Sequence, residues 1–343
     1  KVSKEVYEKR NLRATPRVGD IIFAREAPAG NAAIILEGQI VCLGQRTVLI
    51  RPNTDLVYPK FLVYYILAPQ QQYKLLGGAN GATVAHVNIP IIRKMTIHLP
   101  AMDTQVKIAE ILSAYDSLIE NNRNQIALLE EAAQRLYREY FVDLRFPGYE
   151  HTKIVDGVPE GWETRKLSDF ADVVMGQSPR SEFYNAEKRG LPFHQGVGSY
   201  GRRFVKDETY STAYTRIAEG GSILFSVRAP VGRLNITKNK VVIGRGLSAI
   251  NHKEGLQSFL FYMLKERFFK DDIVGNGSIF ASITKAELLA QTFIIPINEV
   301  TQKFDVIAGA IDKKIDGLEV QINLLVEARD RLLPKLMCGE ITV

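Results

Sequence analysis

One stretch of the sequence has the spacing of a nucleotide-binding turn, Gly196-Val-Gly198-Ser-Tyr-Gly201. Such glycines cradle a pyrophosphate only where a strand precedes them and a helix follows. Here Leu-Pro-Phe-His-Gln comes before and the basic, strand-like Arg202-Arg-Phe-Val-Lys206 comes after. The stretch therefore reads as a loop that presents arginines to phosphates or bases. Asp312-Lys-Lys314 matches the tail of a metal-dependent nuclease motif, but on a helical stretch an acid beside two lysines reads as a solvated face. The Asn/Asp-Pro-Pro-aromatic tetrapeptide of adenine methyltransferases is absent, and His86, His98, His151, His194 and His252 have no metal-ligand spacing with Cys42 and Cys338. No catalytic residue and no metal site is expected.

For reading DNA, the candidates are Arg, Gln, Asn, Ser and Tyr in Gly-rich loops. Arginine can bridge O6 and N7 of guanine, and asparagine or glutamine can bridge N6 and N7 of adenine. Candidates in Gly-rich segments are Gln177, Ser178, Arg180, Gln195, Tyr200, Arg202, Arg203, Arg228 and Arg245 in the second half of the chain, and Arg25, Asn31, Arg46, Asn80 and His86 in the first. For each, a phosphate contact or an idle surface position is the competing reading.

Two long helices must position these segments. Asp103–Phe141 carries Tyr115, Ile119, Asn122, Ile126, Leu129, Ala133, Leu136 and Tyr140 at alternating steps of four and three, the seam of a coiled coil. At 1.5 Å per residue it is about 60 Å long. Its partner lies near the end of the chain, where Ile311, Ile315, Leu318, Ile322, Leu325, Arg329, Leu332 and Leu336 repeat the spacing in the same phase. If the polar seam residues meet, Asn122 faces Arg329, with Ile126 against Leu325, Leu129 against Ile322 and Ala133 against Leu318.

The repeat extends into the segments before the helices. Gly19-Asp-Ile-Ile-Phe-Ala-Arg-Glu-Ala-Pro-Ala-Gly30 recurs as Gly221-Ser-Ile-Leu-Phe-Ser-Val-Arg-Ala-Pro-Val-Gly232, and Asn80-Gly-Ala-Thr-Val-Ala-His-Val87 as Asn276-Gly-Ser-Ile-Phe-Ala-Ser-Ile283. Short strands at Ile21–Phe23, Ala33–Leu36 and Thr47–Ile50 precede a helix at about Pro59–Leu76, and the same order returns at Val241–Ile250 and Gly255–Asp272. The expected fold is α+β: two mixed domains separated by two long antiparallel coiled-coil helices, with a pseudo-two-fold internal repeat. The boundaries fall at 1–100, 101–147, 148–296 and 297–343. Gly19 has eighteen residues before it, where the second copy has about 60 between Trp162 and Gly221, so the first domain reads as lacking its front.

At 343 residues with a net charge of +6, the chain has length for two cores. The charge is uneven, at about +7 over 1–100, −3 over 101–147, +4 over 148–295 and −2 over 296–343. Two basic modules joined by acidic helices suggest two contacts on a polyanion. No apolar run approaches a membrane span, no signal peptide is visible, and two cysteines make no disulfide framework, which fits a reducing cytoplasm.

In this order the motifs resemble the specificity subunit of type I restriction-modification systems. The likeness rests on Pro159-Glu-Gly-Trp162, Gly176-Gln-Ser-Pro179, Asn276–Ile283, Ile108-Ala-Glu-Ile-Leu112 with Asp116, and Leu332-Leu-Pro-Lys-Leu-Met-Cys-Gly-Glu340. It implies a non-catalytic chain with two target-recognition domains, each reading half of a split double-stranded DNA sequence. It also implies two methyltransferase subunits that bring S-adenosylmethionine, and restriction subunits that use ATP and Mg. Tyr137, Arg138 and Phe141, off the seam, become candidates for packing on the methyltransferase, with core packing as the alternative. A stand-alone sequence-specific DNA-binding protein and an unrecognised DNA-modifying enzyme are the competing functions.

Overall fold

A computed structural model describes residues 1–77, 86–268 and 282–343. The chain divides into two compact units: a terminal unit, Lys1–Gln125 with Leu318–Val343, and a central unit, Ile126–Gly317. Each long helix, Met102–Phe141 and Asn298–Cys338, contributes one part to each unit.

In the terminal unit, Ile21–Ala24 is the middle strand of three, antiparallel to both Ala32–Ile34 and Thr47–Ile50. Ile21 and Phe23 alternate into the core, as a sheet with one covered face requires. Asp20 is buried at the start of this strand, where Arg51 grips its carboxylate at 2.8 and 2.7 Å. That hydrogen-bonded guanidinium holds the Asp20 carboxyl below the ordinary carboxylate range. The helix expected over Pro59–Leu76 is two, Pro59–Leu67 and Pro69–Gly77. Ala68 is extended (ψ 139°) because the ring of Pro69 disfavours helix in the residue before it. Phe61, Tyr65 and Ile66 pack on Ile21 and Phe23, on Ile108 and Leu112 of the first long helix, and on Leu333 and Leu336 of the second.

The long helices pair antiparallel here, but not in the expected layers. Asn122, 7% exposed, donates to Gln321 Oε1 at 3.3 Å, and Arg329 pairs with Asp116 at 2.6 Å. Asn122 and Arg329 therefore lie in different layers, and the pairing is displaced by about one heptad. A heptad seam matches itself after such a slip, so apolar spacing cannot choose between the two registers. The observed one gives the Arg329 cation a carboxylate and the Asn122 amide another amide.

The central unit repeats the three-stranded register almost residue for residue. Ile21 opposes Ile34 and Ile50, and Ile223 opposes Ile236 and Ile250. Ala171–Met175 adds a fourth strand beside Leu247–His252. A second sheet of five strands runs in the order Ile217–Ala218, Val241–Ile243, Leu191–His194, Tyr210–Ser211, Tyr184–Asn185. Helix Gln257–Phe268 buries Phe259 through Leu264 against Ile223, Phe225 and the long helices.

Tyr137 and Phe141 belong to this core and are not a free docking face. Tyr137 is 7% exposed, and Phe141 has ring centroids 5.2 Å from both Phe259 and Phe304. Arg138 pairs with Glu266 at 3.3 Å. Here the first helix packs on the domain as well as on the second helix, so its apolar face is broader than a coiled-coil seam. Among the described residues no helix is long and apolar enough to cross a membrane.

Candidate nucleic-acid interface

The strands Val241–Ile243 and Leu191–His194 are parallel, so both release their chains at the same edge of the sheet. Gly244-Arg245-Gly246 and Gln195-Gly196 leave side by side there, and Gln177 joins them by donating its N–H to Ile243 O at 2.9 Å. A crevice beyond the carboxyl ends of parallel strands is a common place for ligands. Glycine allows the three backbones to approach. A Cβ on Gly244 would stand 2.9 Å from Gln195 Cα, one on Gly246 would stand 2.6 Å from Gln195 O, and one on Gly176 would run into Gly244 O.

The side chains that meet there form a polar chain. Ser178 Oγ donates to Gln195 Oε1 at 2.8 Å and accepts the Arg245 N–H at 3.2 Å. Beside them lies a cleft of about 1230 Å³ lined by Gln177, Arg180, Gln195, Lys206 and Arg245, among others. Tyr184, stacked on Phe193 with centroids 4.6 Å apart, lines the cleft as well, and desolvation raises its hydroxyl pKa. Arg245 is exposed, and its guanidinium makes no hydrogen bond or ion pair among the described residues. Arg180 has only a 4.0 Å contact with Glu182 at a well-exposed site. Two arginines, a lysine and two glutamines thus converge on one opening. Glu182 and Glu208 on its rim add acceptors suited to the cytosine amino group.

This opening gathers five of the nine residues expected in the second half of the chain: Gln177, Ser178, Arg180, Gln195 and Arg245. Arg228 is exposed elsewhere, in backbone pairing with Ser282. Tyr200 and Arg203 turn inward and Arg202, though exposed, is held by a helix carboxylate, contrary to the expectation that their loop offers arginines to DNA. Burial raises the pKa of the Tyr200 hydroxyl, Arg202 pairs with Glu130 at 2.9 Å, and Arg203, 2% exposed, is bound to Asp312. Asp312 is accordingly no solvated acid, because it also accepts from Ser258 Oγ at 2.7 Å and Tyr262 Oη at 3.0 Å. Lys206 and Tyr184 were missed. Lys206 sits in the basic run that drew attention to the arginines, whereas nothing local distinguishes Tyr184.

In the terminal unit, Arg25, His86 and Arg46 close around Glu26. Arg25 donates through Nε to Val87 O at 2.8 Å and through its guanidinium to His86 Nε2 at 2.5 Å. His86 Nδ1 and Arg46 Nε meet Glu26 at 2.5 and 3.4 Å. Asn31 is exposed, and Asn80 lies outside the described residues. Among the described residues no group of three or more His, Cys, Asp or Glu could hold a metal ion.

Comparison with known proteins fits this architecture. A solved type I restriction-modification S subunit from M. genitalium has the same fold, with a TM-score of 0.59, 18% identity, and coverage of 94% of this chain and 83% of that one. The pattern of the type I restriction modification DNA specificity domain matches residues 1–131 and 159–328, two domains, the first of which takes in most of the first long helix. The chain belongs to that family, the non-catalytic, DNA-recognising subunits of type I restriction-modification systems. Among its relatives, the candidate MjaX specificity subunit of Methanocaldococcus jannaschii is 31% identical over 95% of this chain and 79% of its own length. The HindI specificity subunit of Haemophilus influenzae is 22% identical over 94% and 86%.

Proposed function

We propose that the cleft of the central unit reads one half of a bipartite double-stranded DNA target and that the terminal unit reads the other. The observation that carries this is the convergence of Gln177, Ser178, Gln195 and Arg245 at one sheet edge, joined by hydrogen bonds and open to solvent on the cleft side. Arg245 suits guanine O6 and N7, and Gln177 or Gln195 suits adenine N6 and N7. Lys206 and Arg180 supply phosphate contacts that hold the register without reading sequence. In the terminal unit the outer face of the Arg25–His86–Arg46 cluster and Asn31 take the corresponding role.

The chain works with two methyltransferase subunits and with restriction subunits. S-adenosylmethionine belongs to the former, ATP and Mg to the latter, and this chain itself holds no cofactor. The test is methylation-sensitive sequencing of DNA from cells that carry the methyltransferase with the intact chain, with Gln195→Ala or with Arg245→Ala. Each substitution is expected to relax one position in one half of the motif by about 10- to 100-fold, the worth of a bidentate base contact. An unchanged motif with both variants would remove the cleft from DNA reading.

A further inference from the structure

Arg202 and Arg203 form the tip of a hairpin whose base is part of the cleft. Gly201 donates its N–H to Phe204 O at 3.0 Å, Tyr200 and Val205 bridge antiparallel, and Lys206 donates its N–H to Ser199 O at 2.8 Å. Ser199 and Lys206 line the cleft. The tip rests instead on both long helices. Arg202 sends Nε and a terminal nitrogen to Glu130 Oε2 of the first helix, at 3.0 and 2.9 Å. Arg203 binds Asp312 of the second helix, with its guanidinium carbon 3.8 Å from the ring centroid of Phe261. Lys238 adds a third tie, 2.5 Å from Asp316, with its ammonium 4.4 Å from the ring centroid of Phe204 in the hairpin.

The internal repeat shows what is particular about this arrangement. Asp116 and Asp312 occupy equivalent places on the two long helices, and each accepts a hydrogen bond from the tyrosine of its domain's helix, Tyr64 at 2.6 Å and Tyr262 at 3.0 Å. In the terminal unit the arginine on that carboxylate is Arg329, from the facing long helix. In the central unit the seam position equivalent to Arg329 is Ala133, and the arginine comes from the hairpin. One carboxylate site thus closes a helix pair in one unit and fastens a cleft wall to a helix in the other.

We propose that Arg202 and Arg203 are positioning residues for DNA recognition, fixing the cleft wall at Ser199 and Lys206 against the long helices without touching DNA themselves. This rests on the reading of the cleft as a DNA interface. A hairpin held at its tip by two charge-assisted contacts keeps its base in one orientation, and base discrimination depends on that orientation to a fraction of an ångström.

The test uses the full chain assembled with its methyltransferase subunits and a DNA library varied in both half-sites, read by sequencing of methylated products. The pair to vary is the partly exposed one, as Arg202→Glu, Glu130→Arg and the two together. Either single change is expected to lower discrimination at one half-site by about tenfold and to leave the other half-site unchanged, and the double variant is expected to restore it. The salt dependence of binding should stay the same. The inference is overturned if Arg202→Glu weakens binding to all sequences alike, lowers the log–log salt slope by about one and is not rescued by Glu130→Arg, because Arg202 is then a phosphate contact. It is overturned equally if the variants lower the melting temperature and leave discrimination intact. Arg245→Ala and Gln195→Ala, run alongside, separate the two ideas. If they change the motif and Arg202→Glu does not, the clamp is wrong; if neither changes it, the cleft reading itself is wrong.

Discussion

His194 immediately precedes Gln195 at the proposed reading edge. It is fully buried, with Nδ1 2.8 Å from Ser199 Oγ and Nε2 3.1 Å from Asp207 Oδ1. Desolvation lowers its pKa below the ordinary 6.5, and the Asp207 carboxylate opposes that only in part. The unfolded chain therefore binds a proton at a higher pH than the folded chain does. Stability is whole above about pH 6.5 and declines as the pH falls below it. Urea midpoints at pH 7.5 and 5.5 should show this loss, and His194→Gln should reduce it; an unchanged difference would assign it to other groups, such as His252, whose pKa burial also lowers. At the same scale, Gly244→Ala places a methyl group 2.7 Å from Gln195 Oε1. Overpacking of this kind costs about 1–3 kcal/mol. Since Gln195 must move to relieve it, the methylated motif should lose definition in one half-site.

The helix pair shows how elements are chosen among near-equal alternatives. Asn122 occupies a seam position where leucine would bury apolar surface, and its amide partner Gln321 is exposed. Replacing Asn122 with Leu should raise the urea midpoint by an amount worth about 1 kcal/mol, while hydrogen exchange in the flanking turns speeds up because the register is less well fixed. Slower exchange would show that the asparagine does not set alignment. Asp116 has the opposite sign. It accepts from Tyr64 and Arg329, so Asp116→Ala takes the acceptor from Tyr64 and leaves Arg329 only its neighbour Asp330, and should cost about 1–2 kcal/mol in the terminal unit. A loss below measurement error would mean that water replaces the carboxylate.

At the scale of the whole molecule, the terminal unit is made from both ends of the chain. Leu333 and Leu336, near the end, are buried among Phe61, Ile108 and Leu112. A chain ending at Gly317 should therefore unfold the terminal unit and retain the core of the central unit around Tyr262 and Phe304. Hydrogen exchange followed by mass spectrometry would read this directly. Protection should vanish over 59–77 and persist over 257–268, and loss over both segments would mean that neither unit holds together without the other.

Periodicity and repetition sufficed for the larger features, and long-range pairing decided the rest. The two long helices, the three strands at Ile21, Ala32 and Thr47, and their recurrence around Ile223 were all legible, because amphipathic spacing and strand alternation are local and the duplication printed each pattern twice. About half of the expected residues of the second domain reached the proposed reading edge for a related reason, since Gly176, Gly244 and Gly246 mark places where backbones crowd together. The destination of a charge was not legible. Arg203 and Asp312 are 109 residues apart, and in the sequence the first reads as a DNA-contacting arginine and the second as a solvated acid. Folding brought them together and buried the arginine, which made it part of the frame and took it out of the candidates for DNA contact. The same holds for Asn122 and Arg329, whose spacing suits two registers equally. The choice fell to hydrogen bonds and ion pairs made across hundreds of positions, and composition and period carry no information about those.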